Sequence, residues 1–462
     1  MLSARGQTLA LVILLHLGCF TGLVEAGSFE LIEEWVSLPF DWDDDVYNRT
    51  EAYWSTQGWP NTSCLAGVKV GFDSTVYVTV PRWQSGVPST LNSVVDGVLK
   101  PFPSWDFNEH TVRNCQSMLI DSQNRMWILD VGRENFFDPS ANTINAPAKV
   151  LVLDLDTNEI NEKLSYEFPE DVVSYNNSFI NDLVIDETHG FVYIANTWAD
   201  GGILVYDYLS NASWMFTGYP TELDPSLDVI VNGYDYGSYH TRFGNSPSDG
   251  IALSEDLETL YWTSVQGLQI WSIETSILRS SLTTNGEFLA ATKRAGNKTG
   301  VNDGMIILDE TLYYGGNINS ALVGFSLDLS AEEVLEGSAV LGQNLDNYRW
   351  IDTFAEALDG AGTLYFSSNK LDKFFNGSMS MGEDAEPNFR IYLFSEGSPQ
   401  PSPLPTAQPS HAYPGGLVVG TCISALAVLV VVAVIAKAKY AKRDGSSAKT
   451  PTITPTANPG LI

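Results

Sequence analysis

Basic residues are scarce in this chain. Only 24 Lys and Arg stand against 56 Asp and Glu in 462 residues, a formal net charge of −32. That excludes a protein that grips nucleic acid by neutralising phosphates. It also argues against an electrostatic hold of the main domain on anionic lipid. Cysteine is rarer still, four in all, so the chain is no disulfide-dense small scaffold. Histidine numbers five. No G-x-S-x-G elbow, H-E-x-x-H pair or C-x-x-C motif occurs, which leaves nucleophilic catalysis and common zinc chemistry without support. Long amphipathic helices with caps are missing too; Ala331 to Leu335 could form one helical turn at most. What is present is apolar and aromatic. Hydrophobic residues make up 44% and aromatics 11%, enough for a large core and too much for whole-chain disorder. The length exceeds one ordinary domain, although barrels and propellers run large as single units.

The two ends differ from the middle. Arg5, an apolar run from Leu9 to Leu17 and the exit Val24-Glu25-Ala26 read as a secretory signal peptide over residues 1–26, with an uncleaved anchor as the alternative. Gly415 to Ala436 is an uncharged apolar stretch of 22 residues, long enough as a helix to cross a bilayer. Lys437, Lys439, Lys442 and Arg443 follow it, so residues 437–462 are expected in the cytosol. A cleaved lipid-anchor signal fits less well, because such signals end in their apolar run. Residues 397–414 hold six prolines among Ser and Thr, the composition of an extended stalk. The expectation is therefore a single-pass cell-membrane protein with residues 27–396 outside the cell. Signal and tail hold six of the basic and two of the acidic residues, so the outer domain carries −36. N-glycosylation sequons at Asn48, Asn61, Asn176, Asn211, Asn297 and Asn376 agree with that topology. Cys64 and Cys115 are the only cysteines of the outer domain. An oxidising compartment favours their pairing, and two buried thiols are the alternative.

Within residues 27–396 one pattern recurs. An apolar strand, often ending in Asp or Ser, leads through a polar turn into a second strand with an aromatic at its second position. The copies are VKVGFDSTVYVTV, SMLIDSQNRMWILD, NDLVIDETHGFVYIAN, DGIALSEDLETLYWTS, DGMIILDETLYYGGN and FAEALDGAGTLYFSS. They align Tyr77, Trp127, Tyr193, Tyr261, Tyr313 and Tyr365 at spacings of 50, 66, 68, 52 and 52 residues. Each copy is a hairpin by its chemistry, with turns such as Asp121–Asn124 and Asp359–Gly362. Further strands follow several copies. Six units of four antiparallel strands predict an all-β, six-bladed β-propeller, against a pair of β-sandwiches as the alternative. The strand Phe29–Leu38 is the candidate to close the ring beside Phe389–Phe394.

A propeller gathers the starts of its inner strands around a central channel. Here those residues include His110, Arg113 and Asn114; Asn181 and Asp182; Asp249; Asn302 and Asp303; and Asp352. Carboxylates and amides in that number could hold a cation or an amine; Asp182, Asp249 and Asp303 would be the ligands if the cation were calcium. The alternative is that they cap turns at the strand entries. His110 is the best acid–base candidate. His189 falls in a turn, and His240 in the Tyr-rich loop with Tyr234, Tyr236, Tyr239 and Phe243, which could wall a pocket. Cys64 and Cys115 occupy matching places before Tyr77 and Trp127, so a staple between the first two blades is geometrically reasonable.

The blocks PRWQSGVPSTLN (81–92), CQSMLIDSQNRMWILDVGR (115–133), FINDLVID from Phe179 and SPSDGIALS with LYWTS resemble the yellow and major royal jelly protein family. The resemblance runs from Phe29 to about Glu396 and implies a six-bladed propeller. It also implies a range of roles: binding of small aromatic amines, pigment formation including dopachrome conversion, and nutritive or structural use. SSNKLDKFF is similar to a family segment that lines the pocket, which nominates Asn369. The stalk and membrane segment depart from the usual secreted members. Three functions stay open: an amine-binding propeller, a dopachrome-converting enzyme using His110 and an Asp, and an adhesion or matrix protein.

Overall fold

The computed structural model describes residues 27–396 apart from 139–140, 142, 200, 239–245, 328–337, 359–361 and 383. The expected signal peptide, stalk, membrane segment and tail lie outside the described residues, as do His240, Tyr239, Phe243 and the turn 331–335. Among the described residues no helix is long and apolar enough to cross a membrane.

Six antiparallel sheets follow one another along the chain, as the repeat predicts. Their inner strands are Val68–Val70, Cys115–Ile120, Ile180–Asp186, Ser248–Leu253, Met305–Leu308 and Trp350–Glu356. We number the blades one to six in that order. The sixth sheet is completed from the other end of the chain. Ser28–Trp35 pairs antiparallel with Phe389–Ser395, placing Phe29 opposite Phe394 and Trp35 opposite Phe389. The outermost strand of the last blade thus comes from the start of the domain, and the ring leaves no open seam.

The recurring aromatic has a single physical job: it wedges each blade against the next. Tyr77 packs with Met118 and Ile128 of blade two. Trp127 packs with Ile180 and Val192 of blade three. Tyr193 meets Ile251 and Trp262 of blade four, Tyr261 borders Met305 and Leu312 of blade five, and Tyr313 meets Ile351 and Phe366 of blade six. Tyr365 closes the circle against the cluster holding Val68 and Val78 of blade one. Four of the six are buried and Tyr261 and Tyr365 are half-buried; fully burying a side chain of this size contributes on the order of 2–3 kcal/mol, which explains why the period is legible. The acidic residue before the turn has a local role. Asp121 accepts the amides of Gln123 and Arg125 at 3.0 Å and the indole of Trp127 at 2.8 Å, which sets the turn and orients the wedge together.

Helices exceed the sequence expectation only slightly. Five short ones occur among the described residues, Glu51–Gln57 and Asn285–Ala291 being the longest at seven residues. The sequon side chains Asn48, Asn61, Asn176 and Asn211 are exposed, and Asn297 and Asn376 are half-buried.

The expected disulfide is absent: Cys64 and Cys115 are both free thiols. Cys115 opens an inner strand and faces the packing between blades one and two. Cys64 lies four residues before its strand, in the core cluster that also holds Leu65, Val265 and Trp350. Cys64 stands 13 residues before Tyr77 and Cys115 stands 12 before Trp127, and a shift of one residue is enough to turn a strand side chain to the other face.

Candidate functional site

The inner strands run along the channel, so their starts form one mouth and their ends the other. Four of the six are bulged near their start, between Cys115 and Ser117, Ile180 and Leu183, Ser248 and Ile251, and Ile351 and Phe354. A bulge re-aims the side chains it carries. Gln116, Asn181, Asp182, Asp249 and Asp352 all sit in these bulges. Two glycines let the strands crowd together there. A Cβ on Gly250 would meet the Asp303 carbonyl at 2.4 Å, and one on Gly304 the Asp352 carbonyl at 2.5 Å. Close approach of neighbouring backbones is the reason for Asp-Gly at both places.

At the entry mouth a small cavity of about 40 Å³ has a polar floor and aromatic walls. Asn181, Asp249, Asp303 and Asp352 line the floor with Gln116. Trp83, Phe137, Phe179 and Phe375 stand around it; ring centroids are 5.6 Å apart for Trp83 and Phe375 and 5.0 Å for Phe137 and Phe375. Trp83 donates its indole N–H to Gln116 Oε1 at 2.8 Å, and Gln116 donates to Asn181 Oδ1 at 2.7 Å. Trp350 donates to Asp303 Oδ2 at 2.8 Å. Asn369 holds Asp352 from behind, Nδ2 to Oδ2 at 2.6 Å, and ties itself to the Leu65 carbonyl at 2.8 Å.

The floor is electrostatically strained. Burial pushes Asp249 up to about 7. Burial and the neighbouring Asp249 hold Asp303 well above the usual carboxyl range, and burial with Asp303 does the same to Asp352. Asp249 and Asp303 hydrogen-bond side chain to side chain, which two carboxyls can do only by sharing a proton. Asp249 is 4% exposed, and its Oδ1 receives no hydrogen bond.

The structure separates the other expected site residues. Asp182 accepts the Ser117 hydroxyl at 2.8 Å and its own neighbour's amide, Leu183, at 2.9 Å. It lines the cavity of the far mouth, not the entry pocket. Asn302 sits behind the floor, donating to the Asp303 carbonyl at 2.8 Å. Arg113 is half-exposed and pairs with Glu134 at 3.3 Å. Asn114 is a brace: Oδ1 accepts the Arg82 amide at 2.7 Å and Nδ2 donates to the Arg133 carbonyl at 2.7 Å. Neither residue lines the pocket. His110 ends a surface helix, Trp105–His110, with its side chain 68% exposed beside Asp106 and Glu109, so it is not the channel's acid or base. His189 is paired with Asp186 at 2.9 Å. Among the described residues no three His, Cys, Asp or Glu groups converge as metal ligands; of the three expected for calcium, Asp182 lines the far cavity and Asp249 and Asp303 the entry pocket.

Sequence reasoning missed Lys298, which is 4% exposed. It donates to the carbonyls of Ser264 and Val265 and to Asn302 Oδ1. Burial lowers it to about 7, against the pull of Asp249 and Asp303. Its place inside the sequon Asn297-Lys298-Thr299 hid it. The aromatic walls were also missed, although Trp83 and Phe375 lie in the motifs quoted above.

Comparison with known proteins supplies the last observation. A family model described as "Major royal jelly protein" matches residues 115–395. Protein yellow of Drosophila melanogaster is 27% identical over 261 residues, 52% of this chain and 46% of that protein. Dopaminechrome tautomerase of the same fly is 26% identical over 245 residues, 48% of this chain and 50% of that protein. The chain spans about half the length of the curated relatives it matches. Among solved structures, a luciferin-regenerating enzyme aligns at a TM-score of 0.44 and 12% identity, over 80% of this chain and 95% of that one.

Proposed function

The chain belongs to the yellow and major royal jelly protein family, and from that premise we propose that its entry mouth binds a small aromatic amine as the cation. The observation that carries this reading is the Asp249 carboxyl, buried among aromatic rings with Oδ1 lacking a donor. An ammonium supplies that donor, and its charge draws the shared proton off the Asp249–Asp303 pair. Trp83, Phe137 and Phe375 offer faces to the cation and to the ring attached to it. The cavity of about 40 Å³ is far smaller than the roughly 300–1,000 Å³ of sites that hold a whole small molecule. The aromatic ring therefore needs Phe137 or Phe375 to swing aside. By the topology read from the sequence, this mouth works outside the cell, on a domain tethered by one membrane helix. Calorimetry with dopamine or serotonin tests the reading. Heat should be released by the parent and reduced at least tenfold in affinity by Asp249→Asn; equal binding by the variant sinks it.

The second reading is tautomerisation of an aminochrome, favoured by the same pair and by the name of the 26%-identical relative. Such a reaction moves a proton from ring carbon to quinone oxygen with no net gain or loss. Asp249, titrating near 7, suits the base, and protonated Asp303 suits the acid. Turnover of dopaminechrome followed by its visible absorbance should survive His110→Ala and fail in Asp249→Asn. Loss in His110→Ala alone overturns the assignment.

A further inference from the structure

The far mouth of the channel holds a larger cavity than the entry mouth, about 300 Å³. It is lined by the ends of the inner strands, and most of the residues around it are apolar, Leu119, Val184, Ile251, Met305, Phe354 and Leu358 among them. Pockets of this size with apolar walls and a few placed polar groups are the general form of small-molecule sites. Its polar groups are few. Glu255 and Glu356 line it with Lys69 and Asp182, which stand on the two inner strands that flank the start of blade two's.

Those two groups are incompletely used. Lys69 donates to the Phe354 carbonyl, leaving two of its three N–H bonds free of protein acceptors among the described residues. Asp182 takes both of its protein donors on Oδ1, from Ser117 and Leu183, so Oδ2 has no donor among the described residues. Each feels the other's charge, yet they make no direct ion pair. A donor and an acceptor thus line the same cavity without pairing with each other.

We infer that the far mouth is a second ligand site, taking an uncharged, apolar molecule of about ten non-hydrogen atoms that ends in a hydroxyl. The size follows from the volume, about ten times the roughly 30 Å³ of a water. The hydroxyl oxygen accepts from Lys69 and its proton goes to Asp182 Oδ2. Charged heads are disfavoured from both sides. A carboxylate would face Asp182, whose field also reaches Asp249, Asp303 and Asp352. An ammonium beside Asp182 would face Lys69; Glu255 and Glu356 stand farther out, beyond the end of one inner strand and at the end of another. This selectivity is opposite to that of the entry mouth, and the inference does not rest on the amine reading.

Calorimetry on the full chain with 1-octanol, octyl methyl ether, octanoate and octylammonium tests it. Octanol should bind, with the ether at least tenfold weaker because it leaves Oδ2 without a donor, and both ions at least tenfold weaker. Val184→Trp and Leu358→Trp each place a ring in the cavity. Whichever of them melts like the parent should lose octanol while keeping the parent's response to dopamine. No binding of octanol, equal binding of ether or ions, or octanol binding unchanged in a filled variant each overturns the proposal. Should both filled variants melt early, Asp182→Asn and Lys69→Met serve: the first should erase the preference for octanol over the ether, and the second should weaken both ligands alike while keeping that preference; the opposite pattern overturns the proposal.

Discussion

Asp249 and Asp303 meet side chain to side chain at the channel floor, one of them braced by the Trp350 indole at 2.8 Å. Their neighbour Lys298 is equally buried and carries the opposite titration. Asp249 rises from 3.8 to about 7 on folding. Between those values the folded chain holds a proton that the unfolded chain has released, so this group's stabilisation is full below 3.8 and lost as pH rises through 7. Lys298 falls from 10.5 to about 7. Between those values the unfolded chain holds the extra proton, so stability from Lys298 is present above 10.5 and lost as pH falls through 7. Urea denaturation at pH 5, 7 and 9 separates the two. Asp249→Asn should flatten the decline from pH 5 to 7, and Lys298→Met the rise from 7 to 9, each by on the order of 1–3 kcal/mol. A parallel shift of the whole curve in either variant contradicts the assignment.

The two thiols give a second prediction. Burial raises both well above the ordinary cysteine range, so neither is a reactive thiolate. The native protein should resist a thiol reagent, and the thiols of Cys64 and Cys115 should titrate once urea is added. Reductant should leave the melting temperature unchanged. A fall on reduction would mean a bridge, whose loss typically costs about 2–5 kcal/mol.

How much was legible follows from which interactions are local. The wedge aromatics and turn aspartates repeat because each blade solves the same packing problem, so Trp127 and Asp121 mark their blade directly. Closure by Phe29 was legible because a ring must end somewhere. The site was only half legible. Asn181, Asp249, Asp303 and Asp352 do gather at one mouth. Asp182 does not, because it follows Asn181 in a bulge and turns the other way, and alternation cannot count through a bulge. Gln116 and Lys298 were missed for a different reason. Their importance comes from partners 65 and 34 residues away, and no spacing within one strand announces those.

Ring closure is itself testable. Phe29 lies 4.9 Å from Phe394, 5.3 Å from Tyr348 and 6.3 Å from Phe366, centroid to centroid. It is half-buried, so Phe29→Ala should cost about 2–3 kcal/mol, below the 3–5 of a fully buried Phe. Because it seals blade six, the loss should appear as cooperative destabilisation of the whole domain in urea. A local change in blade six without a shift of the main transition would contradict the closing role.

The last prediction concerns how the aromatic wall is held. Phe375 stands on the helix Leu371–Phe375, and Asp372 of that helix is fully buried. Arg349 grips it with Nε at 2.9 Å and Nη2 at 2.6 Å, and the Tyr236 hydroxyl donates to the same carboxylate. The hairpin of Asp228–Val231 and Tyr234–Ser238 is thereby tied to the element that carries the pocket wall. Removing one partner strands a buried charge, which typically costs about 3–5 kcal/mol. Asp372→Ala should therefore lower stability by that amount and weaken amine binding through a misplaced Phe375. The milder Tyr236→Phe keeps the Arg349–Asp372 pair and loses one hydrogen bond, so its cost should be about 1–3 kcal/mol. Amine affinity separates support of the wall from simple fold stability. Phe375→Ala and Asp372→Ala should weaken it alike at a temperature where both are folded, and the double variant should be no weaker than either. No loss of affinity in Asp372→Ala would show that Asp372 acts on the fold alone, and additive losses that it acts on binding by a route other than Phe375.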